Sequence, residues 1–230
     1  MKYLKKHFER QVKVMKVELP VRPPKELNES WPGQFQVGRW LDNIIPFPMQ
    51  VFVVTTRKEN GLNNAQLNSW GMTVGSGMSP YFIFSDMTST DTYKLINKNK
   101  EFVVNIPSIS IKDKVIKTTT HYGEDVDEII ESGLTPIPGI KVGAARVEEC
   151  IAHYECEMEW VKNLPGGQAI ICGKILAASA DEKIMTGNIQ ENINNSNVMF
   201  YLKEPIDYFN NLKLAGKTFY GTLSSNVVEE

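Results

Sequence analysis

Gln50-Val51-Phe52-Val53-Val54-Thr55-Thr56, then Glu59-Asn60-Gly61, then Asn63-Asn64-Ala65-Gln66-Leu67-Asn68-Ser69-Trp70-Gly71: this run opens the stretch from Pro46 to Pro107 whose reading decides the fold. The first segment is β-branched and aromatic and is bounded by turn residues, so it reads as a strand followed by a turn and a polar run. An apolar strand over 81–85 follows Pro80, and the hydroxyl cluster Thr88-Ser89-Thr90-Asp91-Thr92 then opens a short helix. Glu101-Phe102-Val103-Val104-Asn105-Ile106-Pro107 closes the stretch as a further strand. Small hydroxyl and amide side chains gathered at strand ends can hydrogen-bond a phosphate and a polar ring, and no other part of the chain concentrates them in this way.

Outward from this stretch, further apolar β-rich runs occur at 140–142, 150–160, 168–178 and 198–202. Pro165-Gly166-Gly167 between two of them predicts a hairpin loop. Helical patterns are few. One spans 90–99 with Thr90 or Asp91 as N-cap, one spans 125–132 and ends at Gly133, and a third is expected over 207–214. The sum predicts a mostly β fold, a closed sheet with short inserted helices, and favours a barrel over a sandwich because closure removes sheet edges. A doubly wound βαβ sheet does not fit the pattern. Residues 1–40 read as an N-terminal arm, with a strand pattern over 12–19 and then Pro20, Pro23, Pro24 and Pro32; residues 41–230 read as the domain.

The chain has 230 residues, 42% of them hydrophobic and 23% charged, near the globular average and long enough for a sizeable core. A formal net charge of −2 leaves no electrostatic footprint for nucleic acid or an anionic membrane. The cluster Lys2, Lys5, Lys6, Arg10, Lys13 and Lys16 is interleaved with apolar residues and reads as a solvated face of the arm. Three cysteines, Cys150, Cys156 and Cys172, argue for buried thiols in a reducing compartment and against a disulfide framework. The start lacks an apolar signal core, and no run approaches the roughly 18 apolar residues of a membrane span. A cytoplasmic protein is expected.

Protein-only chemistry finds little support. His7, His121 and His153 show no HxxxH or HxH spacing, so no metal site is expected. There is no GxSxG elbow, no strand followed by GxGxxG, and no pair of carboxylates that marks an acid–base dyad. No catalytic residue is assigned. A polar pocket without a nucleophile or a metal points to a cofactor that carries the chemistry.

Several pieces of the stretch resemble, in order and spacing, the flavin reductase-like family of FMN-binding split barrels that includes flavoredoxin. They are Pro46-Phe47-Pro48 before the first strand, Asn64 to Trp70, Ser79-Pro80, Asp91-Thr92-Tyr93-Lys94-Leu95-Ile96 and Glu101 to Asn105. Gly123-Glu124-Asp125-Val126-Asp127, Ser132-Gly133-Leu134-Thr135-Pro136, Glu149-Cys150 with Glu155-Cys156, and Gly173-Lys174-Ile175 continue the resemblance, which covers roughly residues 35 to 205.

The resemblance implies a split β-barrel, usually a homodimer, with FMN near the subunit interface. It implies that Asn64, Asn68, Ser69, Trp70 and Gly71 line the flavin ring and ribityl chain, largely through backbone groups. It places the phosphate at Ser89, Thr90 and Thr92, where helix N–H groups and short hydroxyls converge, and it turns the amide of Asn105 toward the pocket. From the residues alone the hydroxyl cluster reads first as an ordinary N-cap, and Trp70 equally as a core residue or a cover for a flavin face. One departure stands out: many relatives carry Arg or Lys before the Thr-Tyr of the phosphate segment, whereas here Met87-Thr88-Ser89-Thr90-Asp91 has no base. The phosphate would then rely on hydroxyls, N–H groups and a cation from elsewhere. Three functions follow as expectations. The first is an FMN-dependent oxidoreductase fed by NAD(P)H or another reduced carrier. The second is a non-enzymatic FMN electron carrier, and the third a split barrel that has exchanged flavin for another ligand.

Overall fold

The computed structural model describes residues 16–30, 32–45, 47–210, 212 and 217–223. His7, most of the basic cluster, Pro46 and part of the expected helix over 207–214 lie outside these residues.

The run 50–56 divides at Val51. Strand β1 (Met49–Gln50) belongs to a small sheet, and β2 (Phe52–Arg57) to a large one. The polar run that follows is itself a strand, β3 (Asn63–Asn68), and after Ser69-Trp70 the chain continues as β4 (Gly71–Ser76) and β5 (Ser79–Met87). Helix α2 (Asp91–Asn99) comes after the short α1 (Gln34–Val37) and is capped by Thr90, whose hydroxyl accepts from Tyr93 N–H at 3.1 Å. Strand β6 (Glu101–Ile106) is next, then α3 (Lys112–Lys117) and α4 (Glu128–Glu131), the latter ended by Gly133 at φ 79°. A small pair, β7 (Pro136–Ile137) and β8 (Arg146–Val147), precedes the long hairpin β9 (Ala152–Leu164) and β10 (Gln168–Ala180), which turns at Gly166 and Gly167, both with positive φ. Helix α5 (Ile189–Ser196) leads to β11 (Phe200–Lys203) and β12 (Thr218–Gly221), which pair with β1 in the order β1-β11-β12.

The large sheet has the order β3-β2-β6-β9-β10-β5-β4, antiparallel at every pairing. Although β2 and β5 are four places apart in that order, Phe52 meets Phe82 edge-on at 5.0 Å, so the sheet is rolled up. Phe84 and Phe102, 5.5 Å apart, fill the inside with Val54, Ile96, Val104 and Ile171. Val53 on the opposite face of β2, with Val51 just before the strand, packs outside against Val115, Ile129, Val147 and Met199. Burial on both faces is why 50–56 reads as a continuous apolar run.

Closure differs from the sequence expectation. Among the described residues, β3 and β4 share no ladder of hydrogen bonds. They are the two edges of the rolled sheet, joined only by Ser69-Trp70. The seam is bridged by side chains instead. With a strand's period of two, Asn64, Gln66 and Asn68 share one face of β3, and all three reach across to the β5–α2 segment. Asn64 Nδ2 donates to Thr92 Oγ1 (2.7 Å), Gln66 Nε2 to Asp86 Oδ1 (2.9 Å) and Asn68 Nδ2 to the Ser85 carbonyl (2.9 Å). Gly71 starts the second edge because a Cβ there would lie 2.7 Å from Phe52 Cζ and 2.9 Å from Phe82 Cε1.

Two other expectations are corrected. Residues 140–142 form no strand: the N–H groups of Ile140, Lys141 and Val142 all donate to the buried Glu155 carboxylate, at 2.6–3.2 Å, which curls the segment into a nest. The segment after Ile206 does not begin a helix, because Asp207 Oδ1 accepts from Phe209 and Asn210 N–H and fixes a turn. Of the expected strand over 12–19, residues 16–19 carry no regular element and the rest lies outside the described residues.

Candidate functional site

Two grooves run end to end along β3. The first, about 310 Å³, lies between Asn64–Leu67, Thr90–Thr92 at the start of α2, and the loop 118–122. The second, about 300 Å³, continues past Asn68, Ser69 and Trp70 to Tyr201, Lys203 and Tyr220. Gln66, Leu67 and Thr119 line both, so the two form one channel over the seam.

The first groove is a hydroxyl end. The loop bearing Thr118-Thr119-Thr120-His121 is fixed from both sides. The Thr118 and Thr119 hydroxyls donate to the Val115 and Ile116 carbonyls at 2.8 Å, which leaves each oxygen able to accept. Beyond it, Lys58 Nζ donates to the carbonyls of Gly123 and Val126 at 2.9 Å and pairs with Glu128 at 3.0 Å, both side chains buried. Glu128 in turn accepts from Ala65 N–H on β3. A buried pair with every donor used is a positioning device more than a source of stability. Asp91, the acid of the phosphate segment, is matched by Lys94 at 2.8 Å and has His121 Nδ1 3.7 Å away.

Thr90 is engaged internally: its hydroxyl lies 2.8 Å from Asp86 Oδ2 and 3.0 Å from the Met87 carbonyl, and it also caps α2. Thr92 is buried and takes the Asn64 amide. The Thr119 hydroxyl is spent on Ile116, so exposed Thr120, His121 and the first-turn N–H groups of α2 provide the accessible donors. The sequence reading missed the 118–121 loop. Its signal was three consecutive threonines before a histidine, but only the fold brings them beside Thr90.

The second groove is an aromatic end. Asn68 Oδ1 accepts the Trp70 N–H at 2.8 Å, and the Trp70 carbonyl accepts from Ser85, so the backbone of Trp70 is held on both sides. Tyr201 and Tyr220 meet edge-on at 5.9 Å, and Lys203 Nζ lies 5.8 Å from the Trp70 ring and 5.3 Å from that of Tyr201. Beneath the junction sits Asp86, buried, with Gln66, Met87 N–H and Thr90 bound to it. Burial raises its carboxyl above the ordinary value, against the lowering effect of those hydrogen bonds. A carboxylate only accepts, so it fixes the Gln66 amide with nitrogen toward Asp86 and oxygen free.

A third groove, about 700 Å³ and mostly apolar, opens on the other side of Ser69-Trp70-Gly71 and is walled by Met49, Met72, Phe84, Ile170 and Phe200 among others. Of the residues picked from sequence, Asn64, Asn68, Ser69, Trp70, Thr90 and Thr92 line the joined channel and Gly71 lines the third groove. Ser89 is exposed and lines none of the three. Asn105 is fully buried between β2 and β8: its amide nitrogen donates to the Val53 carbonyl and Thr55 Oγ1 at 3.0 and 3.1 Å, and its oxygen accepts from Val147 N–H at 2.8 Å.

Hydroxyls, helix N–H groups and an imidazole at one end fit a phosphate. Amides, aromatic rings and an ammonium at the other fit a planar polar ring, so the donor set suits a mononucleotide of the flavin kind. Among the described residues no group of three or more His, Cys, Asp or Glu could hold a metal ion, and no helix is long and apolar enough to cross a membrane.

An uncharacterized protein of Methanothermobacter thermautotrophicus is 34% identical over 119 residues, 51% of this chain and 54% of that protein, so the match spans about half the relative's length. The structure is similar to nitrilotriacetate monooxygenase component B from Bacillus cereus (TM-score 0.72, 18% identity, 94% of this chain and 100% of that one). It is also similar to flavoredoxin of Desulfovibrio vulgaris (Miyazaki F), with TM-score 0.65 and 21% identity over 80% of this chain and 91% of that one. Residues 45–196, well over half of the sequence, match the model of the flavin reductase like domain, and the chain belongs to that family.

Proposed function

We propose that the chain binds FMN along the joined channel and acts as an oxidoreductase, passing electrons from NAD(P)H or another reduced carrier to a small acceptor. The observation that carries this reading is the continuity of the two grooves, with a hydroxyl end and an aromatic end sharing Gln66, Leu67 and Thr119. Family membership and the names of the two similar structures, a flavoredoxin and a monooxygenase component, support a redox role. Bound FMN would supply hydride and single-electron chemistry through its ring.

The chain's own residues bind and orient. Thr120, His121 and the first turn of α2 hold the phosphate, and the Lys94–Asp91 pair removes the opposing negative charge. Gln66, fixed by Asp86, presents its free amide oxygen to a ring N–H. The rings of Trp70 and Tyr201 keep water from the ring end. The apolar groove beyond Ser69-Trp70 takes the donor or the acceptor. The division into an arm, 1–40, and a flavin domain, 41–230, is part of this reading: the described stretch of the arm packs Leu27 and Trp40 against Ile206 and brings Ser30 and Gln34 to the channel. A homodimer and a cytoplasmic location complete it.

The test is a visible spectrum and an equilibrium titration with FMN and with riboflavin. The reading requires FMN to bind at micromolar concentration or below. It also requires the Thr120→Ala variant to lose about tenfold for FMN, ~1.4 kcal/mol, and little for riboflavin, which has no phosphate. No flavin absorbance and no binding at micromolar FMN overturn it. Anaerobic mixing with NADH and NADPH separates the oxidoreductase from a pure carrier, since fast bleaching of the bound flavin belongs to the first alone.

A further inference from the structure

We propose that Lys203, which lies outside the matched family domain, is the cation that balances the negative charge a flavin ring gains on accepting a hydride in this channel, and so sets the potential of the bound cofactor. This rests on the reading of the channel as an FMN site. Three observations carry it. Lys203 lines the aromatic end of the channel with Asn68, Trp70 and Tyr220. Among the described residues, no carboxylate oxygen lies within ion-pair distance of its Nζ; its close partners are the Trp70 and Tyr201 rings, at 5.8 and 5.3 Å. The backbone makes room for the ammonium, since a Cβ on Gly38 would stand 3.2 Å from Nζ.

A half-buried ammonium with no ion-pair partner among the described residues is costly, and two ring faces repay only part of that cost. Burial accordingly lowers the Lys203 pKa from its ordinary value; Asp42 acts to raise it and Arg39 to lower it further. Asp42 is itself engaged by Arg39, at 3.2 Å, which limits what it offers Lys203. Such a cation gains most from an anion that arrives in the channel. A hydride supplies one: the donor, a reduced nicotinamide, gives up two electrons and one proton together and leaves one charge more positive, and the ring that accepts them carries the one negative charge. Attraction to Lys203 is stronger for the charged ring than for the neutral one, and only such a difference moves an equilibrium.

The experiment compares the FMN-loaded parent with Lys203→Gln, Lys203→Met and Lys203→Arg. FMN dissociation constants are measured for the oxidised and the reduced cofactor, and the midpoint potential by equilibration with a reference dye. The neutral variants are expected to lose about tenfold of the preference for reduced over oxidised FMN, a fall of about 30 mV for a two-electron couple, and the arginine variant to keep it. Unchanged potential in neutral variants that still hold FMN overturns the proposal alone. Absence of FMN binding by the parent overturns the FMN reading, and this proposal with it. If neither neutral variant folds, Lys203 belongs to the stability of the β1-β11-β12 sheet, which also overturns the proposal.

Discussion

Two polar clusters lie within this rolled sheet, and the difference between them separates framework from site. Around Asn105, His153 and Glu155 the polar groups are spent on partners inside the fold. Asn105 ties β2 and β6 to Val147, Glu155 gathers the 140–142 nest, and His153 bridges the Val147 carbonyl (2.8 Å) and Ser179 Oγ (3.0 Å). Along β3 the side chains are just as polar, but Gln66 keeps an unspent amide oxygen on a channel and the 118–121 loop keeps exposed hydroxyls there. A polar side chain on a strand therefore says little until its partners are counted. Asn105 and Asn64 are indistinguishable in sequence, yet one is a bolt through the core and the other borders a groove.

The largest expected effect comes from breaking the inward cluster. Glu155→Ala strands three N–H groups and the nearby Arg146, 3.7 Å away, and should cost about 3–5 kcal/mol in urea unfolding. Asn105→Ala should cost about 2–3 kcal/mol by the same measurement, while FMN affinity of the folded fraction stays unchanged. Gln66→Ala should do the reverse: FMN affinity falls several-fold, and stability falls by about 1 kcal/mol. Equal profiles for Asn105→Ala and Gln66→Ala would erase the distinction between the clusters.

His153 sharpens the comparison through pH. Burial lowers its pKa from the ordinary value of 6.5 in the fold, against the raising effect of the Val147 carbonyl. A histidine kept neutral by folding contributes stability that is fully present above its unfolded pKa and is lost as pH falls through the folded one. Stability should therefore drop on acidification below about pH 6.5. In His153→Gln, which presents an amide to the same two partners, that part of the slope should flatten. Ser89→Ala marks the lower limit: an exposed hydroxyl outside all three grooves should change stability by less than about 0.5 kcal/mol and leave FMN affinity unmoved.

Much of the architecture was legible because local chemistry and tertiary structure agree. Thr90 caps its helix, Gly166 and Gly167 turn the long hairpin, and Gly133 ends α4. The misses share a cause, which is that a distant partner decides. Asn63–Asn68 reads only as a polar run, not a strand, because its amide face is spent on Ser85, Asp86 and Thr92 instead of on an apolar core. Ile140 and Val142 look like a strand until Glu155, 13 to 15 residues on, takes their N–H groups. At the site, the 64–70 segment and the start of α2 were visible as polar runs. The Thr118–His121 loop and the Tyr201, Lys203 and Tyr220 wall were not, since only the folded chain brings them to β3.

The joint at Ser69-Trp70 makes both free edges of the large sheet neighbours in sequence, with the channel laid along one of them. A ligand seated in that channel touches the β3 margin and the β5–α2 junction at once, so it acts as a rivet across a joint that the backbone leaves open. Saturating ligand at a hundred times its dissociation constant adds about 2.7 kcal/mol to the folded state. Much of that gain should fall on the two edge strands, where amide hydrogen exchange would slow while the β9–β10 hairpin keeps its rate. Occupancy of the channel is thereby written into the breathing of the barrel itself.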